Sequence, residues 1–155
     1  MILKAACDAA LADPELAAER DIAGNIIATH CNLGAQKIAN AMGCHDLDDK
    51  MADQQYMTMS ADVTGRWSSL SDVEAANCAQ SGILVLAAMS SAKLREKHGH
   101  IAVLYPAPRE FSGSLMSLVP MVANIGKENK VMRVTQAFPI AYGEPDYYAW
   151  CAAPD

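Results

Sequence analysis

Hydrophobic positions in the first half of the chain recur with the period of an α-helix. The clearest case lies between residues 30 and 42, where one helical face carries Cys31, Ala35, Ile38, Ala39 and Met42. Thr29 is a plausible N-cap for this helix, and Gly43 supplies its stop. Weaker patterns predict helices at 2–12, 14–20, 47–60 and 72–80. Ser71 and Glu74 form a capping box for the last of these helices, and the polar segment 61–71 is predicted to be a loop.

The pattern changes after Gly82, where short apolar runs replace the helical period. Strands are predicted at 83–89, 100–105, 131–138 and 147–151, with the segments 90–99 and 107–120 as exposed connections. Helices come first and strands later, and no linker divides the chain. We therefore expect one α+β domain spanning residues 1–155, with N-terminal helices packed on an antiparallel sheet.

Composition and charge narrow the function classes. Of the 155 residues, 52% are hydrophobic and 19% are charged, which is typical of a globular domain. The net charge of -6 gives no positive field for nucleic acid. No run approaches the roughly 20 apolar residues that a membrane-spanning helix needs. Charged residues interrupt the N-terminal segment, so we expect no signal peptide, no membrane insertion and synthesis in the cytoplasm.

Five cysteines, at positions 7, 31, 44, 78 and 151, include no CxxC pair. The odd count and the low density favour free thiols over a disulfide scaffold, although a link between Cys7 and Cys151 stays open. A metal site built from His30, Cys31, Cys44 and His45 is disfavoured. The two pairs lie at opposite ends of the predicted helix, roughly 18 Å apart, and one zinc ion cannot bridge that distance.

Cys31 opens the clearest helix, where free N–H groups and the helix dipole favour a thiolate. A nucleophilic cysteine also needs a histidine and a polar group that orients it. Of the four histidines, His100 is the best candidate, because it begins an apolar strand and follows Gly99, which permits close approach of another element. The alternative for Cys31 is a small buried hydrophobe.

Three segments in this order resemble the NlpC-type and CHAP-type cysteine peptidases, compact papain-like amidases that cut peptide bonds in peptidoglycan. They are Cys31-Asn-Leu-Gly-Ala, Gly82-Ile-Leu-Val-Leu-Ala-Ala and Gly99-His-Ile-Ala-Val-Leu-Tyr-Pro, and the likeness covers roughly residues 20 to 140. The resemblance implies a papain-like fold with Cys31 as nucleophile and His100 as general base and acid. It places the third member in the segment 120–126, where Asn124 is the polar residue and a turn role is the alternative. Asn25 is a possible oxyanion-hole residue.

Within that superfamily the short chain without a signal peptide is similar to type VI secretion amidase effectors. Such a protein would act in the periplasm of a target cell, and a cognate immunity protein would cover the Cys31 cleft. Lys93, Arg95 and Lys97 could line one rim of the groove and meet the carboxylates of a stem peptide. No cofactor and no metal are expected. The alternatives are a phage or housekeeping cell-wall hydrolase, and a non-catalytic interaction domain of the same fold.

Overall fold

The computed structural model describes residues 1–152. Its α-helices are α1 (Ile2–Leu11), α2 (Cys31–Ala41), α3 (Ala52–Ser60), α4 (Asp72–Gln80), α5 (Ser91–Leu94) and α6 (Val134–Ala137). Its strands are β1 (Glu19–Arg20), β2 (Ile26–Ala28), β3 (Trp67–Leu70), β4 (Val85–Met89), β5 (His100–Leu104), β6 (Glu110–Ser112), β7 (Ser117–Val119), β8 (Met121–Asn124), β9 (Lys130–Arg133) and β10 (Asp146–Trp150). Short 3₁₀ helices cover Pro14–Leu16 and Ile140–Tyr142.

Six of these strands form one antiparallel sheet in the order β3-β10-β4-β5-β8-β9, while β1–β2 and β6–β7 are separate hairpins. Helix α1 contacts β8, and helices α2 and α3 contact β5. Helix α4 contacts β10 and β3. The predicted α+β class, with helices packed on an antiparallel sheet, is confirmed. Strand β4 is buried at every position, which explains its uninterrupted apolar sequence.

The neighbouring strands β5 and β8 run in opposite directions, with Val103 opposite Ala123. The beginning of β5 and the end of β8 therefore lie side by side, at the same end of the strands in the sheet. The residues at these two positions are His100 and Asn124. Helix α2 packs on β5, so the topology brings the beginning of this helix to the same region.

Helix α2 matches its prediction closely, with Cys31, Ala35, Ile38 and Ala39 buried. Gly43 follows it with φ of +84°, a conformation that suits glycine. The predicted N-cap is wrong by one residue. His30 occupies the N-cap position, and its side chain makes no hydrogen bond to the N–H groups of the first turn of α2. The capping box of α4 is confirmed, since Ser71 Oγ accepts from the Glu74 N–H at 3.2 Å.

Several predicted segments differ from the structure. The predicted helix 47–60 forms only as α3, from Ala52, and the predicted exposed connection 90–99 contains helix α5. The predicted loop 61–71 contains edge strand β3, in which Trp67 alone is buried, so it lacks an apolar run. The predicted loop 107–120 contains the hairpin β6–β7. The predicted strand 131–138 divides into β9 and α6. In place of the predicted helix 14–20, the chain forms the 3₁₀ turn Pro14–Leu16 and then strand β1. Short elements with few buried residues give little periodic signal, which explains these errors.

All five cysteines are free thiols; Cys7 is buried and Cys151 exposed, so the link left open between them is not formed. Among residues 1–152, no helix has the length and hydropathy required to cross a membrane.

Candidate active site

Cys31 is the first residue of α2 and is 9% exposed. Because the helix begins here, the Cys31 N–H has no acceptor within α2 and remains available to an external group. The nearby backbone N–H of Ile101, the second residue of β5, interacts favourably with the Cys31 thiolate. The nucleophile candidate therefore lies at a helix N-terminus and against the beginning of the strand that carries His100.

His100 is held at the beginning of β5 by close packing around Gly99. A Cβ atom on Gly99 would lie 2.7 Å from Asp53 Oδ1 and 2.9 Å from the Met89 carbonyl oxygen. Asp53 itself accepts a hydrogen bond from the Ser91 N–H at 2.8 Å. This bond joins α3 to the first residue of α5, the short helix that precedes β5. The prediction that Gly99 permits close approach of another element is confirmed.

Asn124 contacts the imidazole directly. His100 Nε2 and Asn124 Oδ1 are 2.8 Å apart. The amide oxygen can only accept, so Nε2 carries the proton, and Nδ1 is the nitrogen left as a base. On the other side of the amide, Asn124 Nδ2 donates to the Glu128 carbonyl oxygen at 2.9 Å. This second bond fixes which end of the amide points at His100.

The turn that follows β8 is fixed by Asn129. Its Oδ1 accepts from the Gly126 N–H at 3.0 Å, and its Nδ2 donates to the Leu16 carbonyl oxygen at 2.8 Å. Asn129 thus ties the turn, whose Glu128 carbonyl orients Asn124, to the N-terminal part of the chain. The sequence analysis missed this residue, for which the only signal was its place in a polar turn after Gly126.

Phe138, which the sequence analysis also missed, packs against the imidazole. The two ring centroids are 4.9 Å apart with an interplanar angle of 52°, and Phe138 is 2% exposed. The phenyl ring restricts the imidazole and removes water from one side of it. Phe138 lies just after α6, in the segment where a strand was predicted, so its position could not be inferred from the sequence.

The environment favours the neutral forms of both groups. Burial lowers the pKa of His100 below its ordinary value, and the Asn124 hydrogen bond and the charge of Glu96 offset part of that effect. Burial also raises the pKa of the Cys31 thiol, partly offset by the backbone N–H groups of Ile101, Asn32 and Cys31. The resting site at neutral pH therefore holds a thiol and a neutral imidazole rather than an ion pair.

Cys31, His100 and Asn124 all line one open cavity of about 670 Å³. Within residues 1–152, the side-chain hydrogen bond that His100 makes is to Asn124, and none joins it to Cys31. Hydrogen bonds of catalytic groups are often absent or long in unliganded sites. A Cβ atom on Gly126 would lie 3.5 Å from His100 Cε1, so this glycine leaves room beside the imidazole.

The charged side chains around the cavity differ partly from those predicted. Lys97 lines it, but Lys93 donates to the Glu144 carbonyl oxygen and Arg95 lies over the ring of Tyr142. Lys127 and Lys130 also line the cavity and add positive charge. Acidic groups are present as well: these are Glu96 and Glu128, and Glu128 pairs with Lys130 at 2.6 Å.

Asn25 does not line the cavity. It bonds to Asp21 through its backbone N–H at 2.8 Å and its side chain at 3.1 Å, in the exposed β1–β2 turn. This arrangement leaves no role for Asn25 in the cavity, because its amide already has a partner. Within residues 1–152, no three His, Cys, Asp or Glu side chains are grouped so that they could hold a metal ion.

A scan of the chain against protein-family models gives no match, and a search of curated proteins gives none.

Proposed function

We propose that this protein is a cysteine amidase of papain-like fold that cuts amide bonds in the peptide part of peptidoglycan. The observation that carries the proposal is the 2.8 Å hydrogen bond between His100 and Asn124 in a cavity that Cys31 also lines. Three residues far apart in sequence line this cavity, and the proposal gives them the roles of nucleophile, base and orienting amide. The motif resemblance adds the substrate class.

In the proposed reaction Cys31 Sγ attacks the carbonyl carbon while its proton moves to His100 Nδ1. The oxyanion accepts a hydrogen bond from the Cys31 N–H at the beginning of α2. The imidazolium then protonates the leaving amine, the C–N bond breaks and a thioester to Cys31 remains. Water, deprotonated by His100, hydrolyses the thioester and releases a carboxylic acid and the free thiol.

The resting protonation state sets what each residue must contribute. With a thiol and a neutral imidazole, the proton leaves sulfur during the attack rather than before it. Asn124 keeps the proton on Nε2, so that Nδ1 can act as the base. Its amide oxygen also stabilises the imidazolium that forms.

The charge of the cavity suits a substrate with carboxylates. Its wall carries Lys97, Lys127 and Lys130 against Glu96 and Glu128, a local excess of one positive charge, although the whole chain carries a net charge of -6. Peptidoglycan stem peptides carry carboxylates and would gain favourable local interactions there. We further propose, from the motif resemblance, that the protein is a type VI secretion effector that acts in a target-cell periplasm and has a cognate immunity protein.

The test is to incubate purified Gram-negative sacculi with the wild type, Cys31→Ala and Cys151→Ala, and to weigh the soluble fragments by mass spectrometry. Cys151 is an exposed thiol outside the cavity, so its variant is the matched control. We expect fragments from the wild type and Cys151→Ala, and none from a folded Cys31→Ala. Fragment masses identify the bond. Equal release by Cys31→Ala, or none by the wild type, would overturn the proposal.

A second candidate is a non-catalytic interaction domain of the same fold, and the observation that favours it is that no hydrogen bond joins Cys31 to His100 among residues 1–152. Such a domain would sediment with sacculi without releasing fragments. A phage or housekeeping cell-wall hydrolase would release the same fragments as the effector, and the site does not favour either origin.

A further inference from the structure

A second, smaller cavity, which we call the side pocket, adjoins the proposed active site. Its volume is about 60 Å³. The walls include Leu115, Val134, Thr135, Phe138 and Ile140. Thr135 and Phe138 also line the large cavity that contains Cys31 and His100. The two cavities are therefore neighbours that share these two side chains.

Phe138 shows how near the side pocket lies to the proposed chemistry. Its ring centroid is 4.9 Å from that of the His100 imidazole, and the same side chain lines the side pocket. Adjacent residues of a peptide have Cα atoms about 3.8 Å apart. Because Phe138 lines both cavities, a peptide bound with its scissile amide at Cys31 would place a neighbouring side chain near the wall that the two cavities share.

Size and chemistry restrict what the side pocket accepts. A cavity of about 150 Å³ binds benzene, which has six carbon atoms, so about 60 Å³ suits a group of up to about three carbon atoms. The walls are mainly aliphatic or aromatic. Glu144 is the one charged residue among the lining residues within 1–152, and its carboxylate disfavours another carboxylate. The remaining class is a small neutral aliphatic side chain.

We infer that the side pocket is a specificity subsite that selects a small aliphatic side chain, from methyl to isopropyl, on the residue next to the scissile amide. This inference rests on the proposed amidase function and deepens it. Pockets of this kind discriminate a missing or extra methylene by about 10- to 200-fold in kcat/KM. Leu115, a half-buried residue of the β6–β7 hairpin, forms part of the wall, so substitutions there change the volume of the pocket.

The test uses two sets of synthetic peptides that contain the bond found in the sacculus experiment. In one set the residue before the scissile amide is Gly, Ala, Val or Leu, and in the other set the residue after it is varied in the same way. In one of the two sets, the one whose varied residue enters the side pocket, we expect kcat/KM to be highest with Ala or Val. In that set kcat/KM with Leu should be at least about 10-fold lower.

Two variants change the pocket in opposite directions. Leu115→Ala enlarges the pocket and should reduce the ratio of kcat/KM for the Ala peptide to that for the Leu peptide about 10-fold. Leu115→Trp fills the pocket and should lower kcat/KM for the Ala and Val peptides but not for the Gly peptide. The glycine peptide separates a filled pocket from a general defect. Leu118→Ala is the matched control, since Leu118 lies on the same hairpin, is 48% exposed and does not line the pocket.

Cleavage by the wild type with ratios that neither Leu115 variant alters would overturn the subsite while leaving the amidase intact. A wild type that releases no fragments from sacculi would contradict the proposed function itself, and the subsite with it.

Discussion

Gly34 of α2 packs directly against Ile125, the residue after Asn124. A Cβ atom on Gly34 would lie 2.9 Å from Ile125 Cβ and 3.0 Å from its Cγ2, closer than side-chain carbons ordinarily approach. Gly34 lies one helical turn after Cys31, and Ile125 lies beside the amide that orients His100. The contact therefore sets the spacing between the helix that carries the thiol and the strand that carries Asn124.

Gly34→Ala should destabilise the fold and lower activity. Helix propensity alone would stabilise the alanine variant by up to about 1 kcal/mol, but overpacking costs about 1–3 kcal/mol. We expect a lower free energy of unfolding, measured in urea. We also expect kcat/KM to fall by a larger fraction than the free energy of unfolding does. Gly113→Ala is the control, because a Cβ there meets nothing within 4 Å. Adding Ile125→Ala should restore part of the loss, and a stabilised Gly34→Ala with full activity would refute this role.

Asn124→Ala should lower kcat/KM by roughly 10- to 100-fold, a part of the 10²–10⁴-fold that general acid–base catalysis contributes. The imidazole loses the acceptor that fixes its tautomer, while Cys31 is untouched. Asn124→Asp keeps an acceptor and adds a negative charge, which raises the pKa of His100 and moves the acidic limb of the pH–rate profile upward. An Asn124→Ala variant with wild-type kcat/KM would remove Asn124 from the mechanism.

Asn129 is a positioning residue that acts through the turn after β8. Asn129→Ala removes the bonds to Gly126 and Leu16, so the Glu128 carbonyl no longer holds Asn124 in one orientation. We expect kcat to fall several-fold with KM little changed, and the acidic limb to move to lower pH, because a weaker Asn124 hydrogen bond raises the pKa of His100 less. Asn25→Ala is the control, since it removes the side-chain bond from Asn25 Nδ2 to Asp21, away from the cavity, and keeps the backbone bond. If both asparagine variants lose stability alike and neither alters the limb, the role of Asn129 is structural only.

The pH dependence of kcat/KM should show an acidic limb below 6.5, the ordinary pKa of histidine. Burial lowers the pKa of His100, so the neutral imidazole that acts as base persists to lower pH. The same shift affects stability. The unfolded chain takes up a proton near 6.5 while folded His100 does not, so stability falls as the pH drops below 6.5 towards the folded pKa. Kinetic and urea titrations of wild type and His100→Gln check both statements; a limb above 6.5 would contradict them.

The sequence predicts the elements that carry Cys31 and His100 better than it predicts strand β8, which carries Asn124, or the groups that support the site. Helix α2 and strands β4 and β5 have strong periodic or continuous apolar patterns, because each buries a large face. Asn124 came from a motif resemblance, and the pairing of β5 with β8 accounts for its proximity to His100.

Phe138 and Asn129 escaped prediction for a different reason. Their roles depend on contacts across many residues, Phe138 with His100 and Asn129 with Leu16. Neither contact leaves a pattern in the local sequence. The predicted strand over 131–138 also hid the turn to α6 that places Phe138. Long-range contacts at turns of the chain give no periodic pattern of hydrophobic residues, so they cannot be predicted from one sequence in this way.

The most direct measurement of the central claim is the intact mass of the protein after acid quenching during turnover of a stem-peptide substrate. A thioester to Cys31 should add the mass of the acyl fragment, and proteolysis should locate that fragment on the peptide that contains Cys31. Cys151→Ala should give the same adduct, and folded Cys31→Ala should give neither adduct nor product. Amide cleavage by Cys31→Ala at the wild-type rate would contradict the account.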